Sequence, residues 1–289
     1  MDWYNLFERS QLHFDCLIDD FLNTVENDEY LSFLWKCWTD ARIRNKDEFC
    51  APGSIMKMCN GPSEMDFNMY NSLFLTGLNN QKQSSAVGVI NICSEELFKH
   101  DELFSDKGAA LQRGNKANWK TIFLSNKIPH NCNSMVIVDN YIFNKVDRNL
   151  YEILDALLPT RIETTFYLTI FFVNEGGSST LKLITDSLKA KIQEIRPELG
   201  ISLEIFETSK EEFHDRAIIT NYMWIGIGSG FDLIKGQESA KSTELHAVYP
   251  MIISEDKIKW TNERYSIFID DAKRCLKNRN VHSNNRLLR

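Results

Sequence analysis

The stretch that decides the fold is FHDRAIITNYMWIGIGSGFD, residues 213–232. Its apolar runs predict two β-strands, in which successive side chains point to opposite faces of the sheet. His214 and Arg216 are therefore expected to share one face, with Asp215 pointing away from it. An imidazole can act as a nucleophile, and a guanidinium can hold two oxygens at once, so this pair suits a phosphate group.

Strands and helices alternate before and after this stretch, which predicts an α/β fold with a mixed sheet flanked by helices. We assign residues 121–289 to this domain. Residues 1–120 are expected to form a mainly helical N-terminal region, because Leu12, Leu17 and Phe21 begin a series of apolar residues at helical spacing. The predicted strands are Thr121–Leu124, Met135–Phe143, Phe166–Val173, Ile201–Phe206 and His246–Ile253, and the predicted helices are Asn149–Leu158, Ser178–Arg196 and Asn262–Lys277.

Composition narrows the class of protein. The chain has 289 residues, 43% of them hydrophobic, and a formal net charge of −7. This charge argues against a broadly basic surface that coats nucleic acid, but it leaves room for a local basic cleft.

Seven cysteines without a C-x-x-C pair indicate reduced thiols and no metal site. With no signal peptide and no run of about 18 apolar residues, we expect a cytoplasmic protein without a transmembrane segment.

The spacing around His214 matches one half-site of the phospholipase D enzymes. Those enzymes carry H-x-K-x(4)-D followed by a Gly-Ser segment. Here Arg216 stands in place of the lysine and Asn221 in place of the aspartate, and Gly228-Ser229 falls where the Gly-Ser segment is expected. A phosphodiesterase with a histidine nucleophile also needs an acid for the leaving group. His246, or a second His214 across the two-fold axis of a homodimer, is the candidate for that acid.

The run from His214-Asp215-Arg216 to Gly228-x-Gly230-x-Asp232 resembles the phospholipase-D-like domain at the C-terminus of MIT-domain-containing proteins. Residues 137–143 resemble the start of that domain, so the resemblance covers about residues 121–277. It implies a phospholipase-D-like fold with a single degenerate half-site. Eukaryotic members of the family resemble lipid-binding modules. Bacterial relatives look like parts of defence or mobile-element loci, which implies a nuclease or a nucleic-acid sensor.

Two functions remain open on this reading. In the first, the protein recognises or cleaves a phosphodiester, above all nucleic acid, in a prokaryotic defence system, with His214 as nucleophile, Arg216 on the phosphate and Asn221 completing the half-site. In the second, it is a non-catalytic adaptor that binds phosphorylated lipid or a protein partner, the latter through residues 1–120. No cofactor is implied by either. The residues expected to bind the ligand are Asp139, Gly228, Ser229, Asp232 and Lys235.

Several of these residues have alternative explanations. Asp139 either pairs with Arg216 or is exposed at the end of a strand. Lys235 either adds charge to the pocket or is a solvated lysine. The alternating glycines 226, 228 and 230 leave one face of the strand without side chains. This allows the close approach either of a ligand or of another backbone. Residues 105–120 carry Lys107, Arg113, Lys116 and Lys120 with Trp119, and form either a contact with a nucleic-acid backbone or an exposed solvated loop.

Overall fold

The structure is a computed structural model of the chain. It describes residues 11–14, 32, 72–76, 88, 90–93, 106–143, 148–173, 181–213, 215–248 and 255–288.

Three short strands form a small parallel sheet in the N-terminal region. They are β1 (Gln11–Phe14), β2 (Ser72–Thr76) and β3 (Ile90–Cys93), with β2 in the centre. Leu12 lies in β1, so the helical prediction is wrong at that residue. The other apolar residues on which the N-terminal helices were predicted lie outside the described residues.

A mixed sheet of seven strands forms the centre of the C-terminal part and confirms the predicted α/β class. The strands are β4 (Lys107–Leu111), β5 (Ser134–Val138), β6 (Phe166–Phe172), β7 (Ile201–Glu207), β8 (Ala217–Thr220), β9 (Trp224–Ile227) and β12 (Thr243–Val248). Their order in the sheet is β4-β12-β9-β8-β5-β6-β7. β5, β6 and β7 are parallel, whereas β8 runs antiparallel to β5 and to β9. A separate hairpin joins β10 (Ile234–Lys235) to β11 (Glu238–Ser239).

The strand directions define two edges of this sheet. At one of them, which we call the carboxyl edge, β5, β6, β7 and β9 end and β8 begins. At the opposite or amino edge, β5 begins and β8 ends. The sheet includes β4, which precedes residue 121, where the predicted α/β domain starts.

Helices cover both faces of the sheet, and β5 shows how. Met135 and Ile137 of β5 pack with three helices on one face, and Val136 and Val138 pack with one helix on the other. This alternation is expected for a strand buried on both sides. The first face carries α1 (Trp119–Ser125), α2 (Arg148–Leu157) and α3 (Leu181–Ile195), and the second carries α4 (Glu255–Asn278).

One predicted element has the wrong type. Residues Thr121–Leu124, predicted as a strand, belong to helix α1. The helix begins after Asn118, whose side-chain oxygen accepts a hydrogen bond from the Thr121 N–H and so caps the first turn. Trp119 and Phe123, one helical turn apart, bury the same face of α1 completely, which stabilises the helix against the sheet.

Candidate functional site

Asp139 lies at the carboxyl edge, directly after β5, and its side chain is 0% exposed. Oδ1 accepts a hydrogen bond of 2.8 Å from the Tyr141 N–H, and Oδ2 accepts one of 2.5 Å from the Phe231 N–H. The carboxylate therefore joins two loops, the one after β5 and the one after β9. This placement decides against an exposed Asp139 at the strand end.

Burial raises the pKa of Asp139 to about 6, because a buried carboxyl group loses the water that stabilises its charged form. The two backbone hydrogen bonds act in the opposite direction and lower the pKa. The charge of Asp232 raises the pKa further, and the charge of Arg216 lowers it. The effect of Arg216 is the smallest of these effects.

Arg216 enters the site from the neighbouring strand. The register pairs Val138 with Ala217, so Arg216 stands beside Asp139 at the start of β8. The side chain is half-buried, and its Nε is buried without a hydrogen-bond partner. A buried donor without a partner costs about 1–3 kcal/mol, which an acceptor from a ligand would recover.

A second cation lies over the same aromatic ring as Arg216. The Arg216 guanidinium carbon is 5.1 Å from the centroid of the Tyr141 ring, and the Lys210 ammonium nitrogen is 5.6 Å from the same centroid. The Lys210 nitrogen and the Arg216 guanidinium carbon are therefore separated by at most the sum of these two distances. The aromatic ring offsets part of their repulsion.

Gly230 gives the Arg216 side chain its space. Its backbone has φ +84° and ψ 168°, a conformation in which essentially only glycine is found. A Cβ on Gly230 would lie 2.8 Å from Arg216 Cδ and 3.2 Å from Asp139 Oδ2. The positions of Arg216 and Asp139 therefore require glycine at residue 230.

The other two glycines of the predicted stripe have different roles. A Cβ on Gly226 would stand 2.1 Å from the ring of Trp224, so this glycine makes room for a neighbouring side chain of its own strand. A Cβ on Gly228 would meet nothing closer than the Thr243 hydroxyl at 3.9 Å, and the residue is exposed in the turn after β9. Of the three, Gly228 leaves open space.

The remaining predicted ligand-binding residues follow along the chain. Ser229 is half-buried in the turn between Gly228 and Gly230. Asp232 is half-buried in the short 3-10 helix Phe231–Leu233, close enough to Asp139 to raise the pKa of its carboxyl group. Lys235 is exposed on β10, at the end of the loop that leaves the site.

Asn221 lies away from this group of residues. It follows β8 at the amino edge, five residues from Arg216, which is about 17 Å along a strand at about 3.4 Å per residue. The side chain is 1% exposed, and its oxygen accepts hydrogen bonds of 3.0 Å and 2.9 Å from the N–H groups of Asn133 and Ser134. Asn221 thus ties the end of β8 to the beginning of β5.

The predicted alternation of faces around Arg216 is confirmed for Asp215. The Asp215 carboxylate is 3.5 Å from the Arg264 guanidinium of α4, on the opposite face of the sheet. His246, a candidate for the acid, also faces away from Arg216, because its neighbours Leu245 and Ala247 pack in the core with α1 and α2. His246 is exposed and lies 3.4 Å from Glu244. His214 lies outside the described residues.

Trp119 and Phe231 form a support for the site that the sequence did not reveal. The Trp119 Nε1–H donates a hydrogen bond of 2.9 Å to the Phe231 carbonyl, and the two rings are 5.6 Å apart. Both side chains are fully buried. Since the Phe231 N–H bonds to Asp139, the core holds the loop after β9 in place. Trp119 is a core residue, so it does not take part in the nucleic-acid contact considered for residues 105–120.

A cavity of about 680 Å³ opens at the amino edge. Three of its lining residues form one ionic group, because Asp155 lies 2.6 Å from Lys120 and 2.9 Å from Arg196. Burial lowers the pKa of His130, on the same wall, to about 4, so this imidazole is neutral at pH 7. Its Nε2 lies 2.7 Å from the Thr220 hydroxyl. These contacts stabilise the amino edge and engage the Lys120 ammonium with Asp155.

No protein-family model matches the chain, and a search of the curated proteins likewise finds no match. Within the described ranges, no group of three or more His, Cys, Asp and Glu side chains is arranged to hold a metal ion. None of the helices in the described part of the chain is both long enough and apolar enough to cross a membrane.

Proposed function

We propose that this protein recognises a phosphodiester, in nucleic acid, at the carboxyl edge of its seven-stranded sheet. The observation that carries the proposal is the buried Nε of Arg216, which lacks a hydrogen-bond partner while the guanidinium lies over the same ring as the Lys210 ammonium. An anion with several oxygens supplies the acceptor that this Nε lacks. A phosphate group has this shape and charge, and arginine binds it through two parallel hydrogen bonds.

Each residue of the site has a task in this proposal. Arg216 and Lys210 hold the non-bridging oxygens of the phosphate. Asp139 holds the loop after β9 through the Phe231 N–H. Gly230 leaves the space that the Arg216 side chain needs, and the open surface at Gly228 gives the ligand access.

Recognition is better supported than cleavage. Cleavage through a phosphohistidine forms a bond from the His214 imidazole to phosphorus, breaks the bond to the leaving oxygen and requires a proton for that oxygen. His246 faces the other side of the sheet, and Asn221 is committed to two backbone N–H groups at the amino edge. In this proposal His214 contributes to binding, and neither His246 nor Asn221 supplies the proton that turnover needs.

A gel-shift assay with labelled single-stranded DNA and RNA tests the proposal. We expect the native protein to retard the nucleic acid and Arg216→Ala to lose this retardation, with both proteins showing the same circular dichroism spectrum. Retardation that survives Arg216→Ala would show that the ligand binds elsewhere. Cleavage by the native protein that disappears in His214→Ala would extend the function from recognition to hydrolysis.

A further inference from the structure

A surface next to the site is built by two segments that are distant in the sequence. Residues 112–117, which follow β4, dock on the β10–β11 hairpin through backbone hydrogen bonds. The Gly114 N–H donates to the Ser239 carbonyl, the Ser239 N–H donates to the Asn115 carbonyl, and Lys116 pairs with Glu238 as an isolated β-bridge. The two segments therefore form one rigid surface.

This surface carries an excess of positive charge, and its register pairs Glu238 with both Lys235 and Lys116. Arg113, Lys116, Lys235 and Lys241 are all exposed on it, and Glu238 is the one carboxylate in residues 112–117 and 234–242. We call these four cations the basic platform. A net charge of −7 for the whole chain makes such an excess of cations a local feature. A local basic surface attracts polyanions, whatever the net charge of the protein.

The basic platform is joined firmly to the Arg216 site. The 3-10 helix that leads to β10 begins at Phe231, whose N–H bonds to Asp139 and whose carbonyl accepts from Trp119. Lys235 comes four residues after Phe231, so its backbone is within about 15 Å at about 3.8 Å per residue. A nucleic-acid strand covers such a distance with a few nucleotides.

We propose that the basic platform binds the phosphates that adjoin the one held at Arg216, so that the ligand is a single-stranded nucleic acid several nucleotides long. This inference rests on the proposed function of the Arg216 site. A single strand is favoured because a phosphate must reach a buried Nε, which a flexible strand does more readily than a stiff duplex.

The apolar surface of the protein argues for a polyanion and against a membrane. Membrane-binding surfaces combine basic residues with exposed apolar side chains. The exposed large hydrophobic side chains among the described residues lie on other elements, and none belongs to the platform segments; they are Leu124, Leu181, Leu183, Ile267 and Val281.

The test compares two ligands and three proteins. The ligands are a dinucleotide, which has a single phosphodiester, and a single strand of about 12 nucleotides, within the usual size of such sites. The proteins are the native chain, Lys116→Gln/Lys235→Gln on the basic platform, and Lys182→Gln/Lys189→Gln on α3. Both variants remove two exposed lysines, so they change the net charge equally.

We expect the platform variant to bind the longer strand several-fold more weakly and the dinucleotide as the native protein does. The slope of log K against log salt for the longer strand should become shallower by about 1.4, that is about 0.7 for each lost phosphate contact. The α3 variant should keep the native affinity and slope for both ligands. Arg113→Gln/Lys241→Gln provides a second platform variant, in case the first one disturbs the hairpin.

The remaining outcomes separate the two proposals. If the native protein binds neither ligand, the proposed function of the Arg216 site is wrong, and the platform inference falls with it. If both ligands bind and neither platform variant changes the longer strand's affinity or slope, the inference is overturned while the Arg216 site stands. Binding to vesicles of phosphatidylserine in preference to the strand overturns it as well.

Discussion

The side chain of Arg216 lies against the backbone of Gly230, where an added Cβ would stand 2.8 Å from Arg216 Cδ. The same Cβ would stand 3.2 Å from Asp139 Oδ2. The loop after β9 thus fits around two charged side chains that come from the ends of two neighbouring strands. Gly230 also has φ +84°, a backbone angle that residues with a side chain rarely adopt. Both the backbone conformation and the lack of space for a Cβ therefore require glycine at this position.

Gly230→Ala should therefore lower the free energy of unfolding by about 1–3 kcal/mol, the usual cost of such a backbone conformation in a residue with a side chain. It should also weaken ligand binding, because Arg216 must move. Urea-induced unfolding measures the first effect. Gly228→Ala is the matched control, with only the Thr243 hydroxyl near the added methyl group, and should change stability by no more than about 0.5 kcal/mol. Equal stability of the two variants would contradict this role of Gly230.

Asn221→Ala should destabilise the fold without changing the affinity for phosphate ligands. The substitution leaves the buried N–H groups of Asn133 and Ser134 without the acceptor they share, at a cost of about 1–3 kcal/mol for each orphaned donor. Thermal unfolding measures the loss, and a binding titration below the transition temperature measures the affinity. A large loss of affinity in a folded Asn221→Ala protein would show that Asn221 contributes to ligand binding.

Asp139 makes stability depend on pH in a direction that is unusual for a carboxylate. Because burial raises its pKa from 3.8 to about 6, the folded state holds this proton more tightly than the unfolded chain does. The stabilisation from protonated Asp139 is fully present below about pH 4 and is lost as the pH rises through 6. Arg216 and Asp232 are the charged groups that act on it.

The expected result is that the native protein gains about 1 kcal/mol relative to Asp139→Asn when the pH falls from 7 to 5. The comparison of the two proteins cancels the other titrating groups. Urea unfolding at both pH values gives the numbers. A difference in stability that stays constant between pH 7 and pH 5 would contradict the raised pKa of Asp139.

The sequence predicted the sheet well where burial dictates the pattern. The continuous apolar run of residues 166–173 predicts a strand covered on both faces, and β6 is such a strand. The alternation of Asp215 and Arg216 also holds, because a strand has a fixed period of two. The strand predicted for Thr121–Leu124 was wrong, because these residues belong to α1. Thr121 and Ile122 are β-branched, and a helix of 7 residues is too short to show its period.

The candidate site was only half visible in the sequence. Arg216, Asp139 and Gly230 stand out by their position at predicted strands. Lys210 has no such signal, because only the parallel arrangement of β5, β6 and β7 brings its loop to the edge where Tyr141 lies. The spacing of the motif grouped Asn221 with Arg216, since spacing alone does not show that an entire strand separates them.

The central claim is that Arg216 holds a phosphate at the carboxyl edge, and fluorescence anisotropy with a labelled single-stranded oligonucleotide tests it. The proteins to compare are the native chain, Arg216→Gln and, as a matched loss of one arginine on the opposite face, Arg264→Gln. We predict that Arg216→Gln weakens binding by about 1.5–3 kcal/mol, the value of a charged hydrogen bond, while Arg264→Gln binds as the native protein does. Equal affinities of the native protein and Arg216→Gln, with both folded, would contradict the claim.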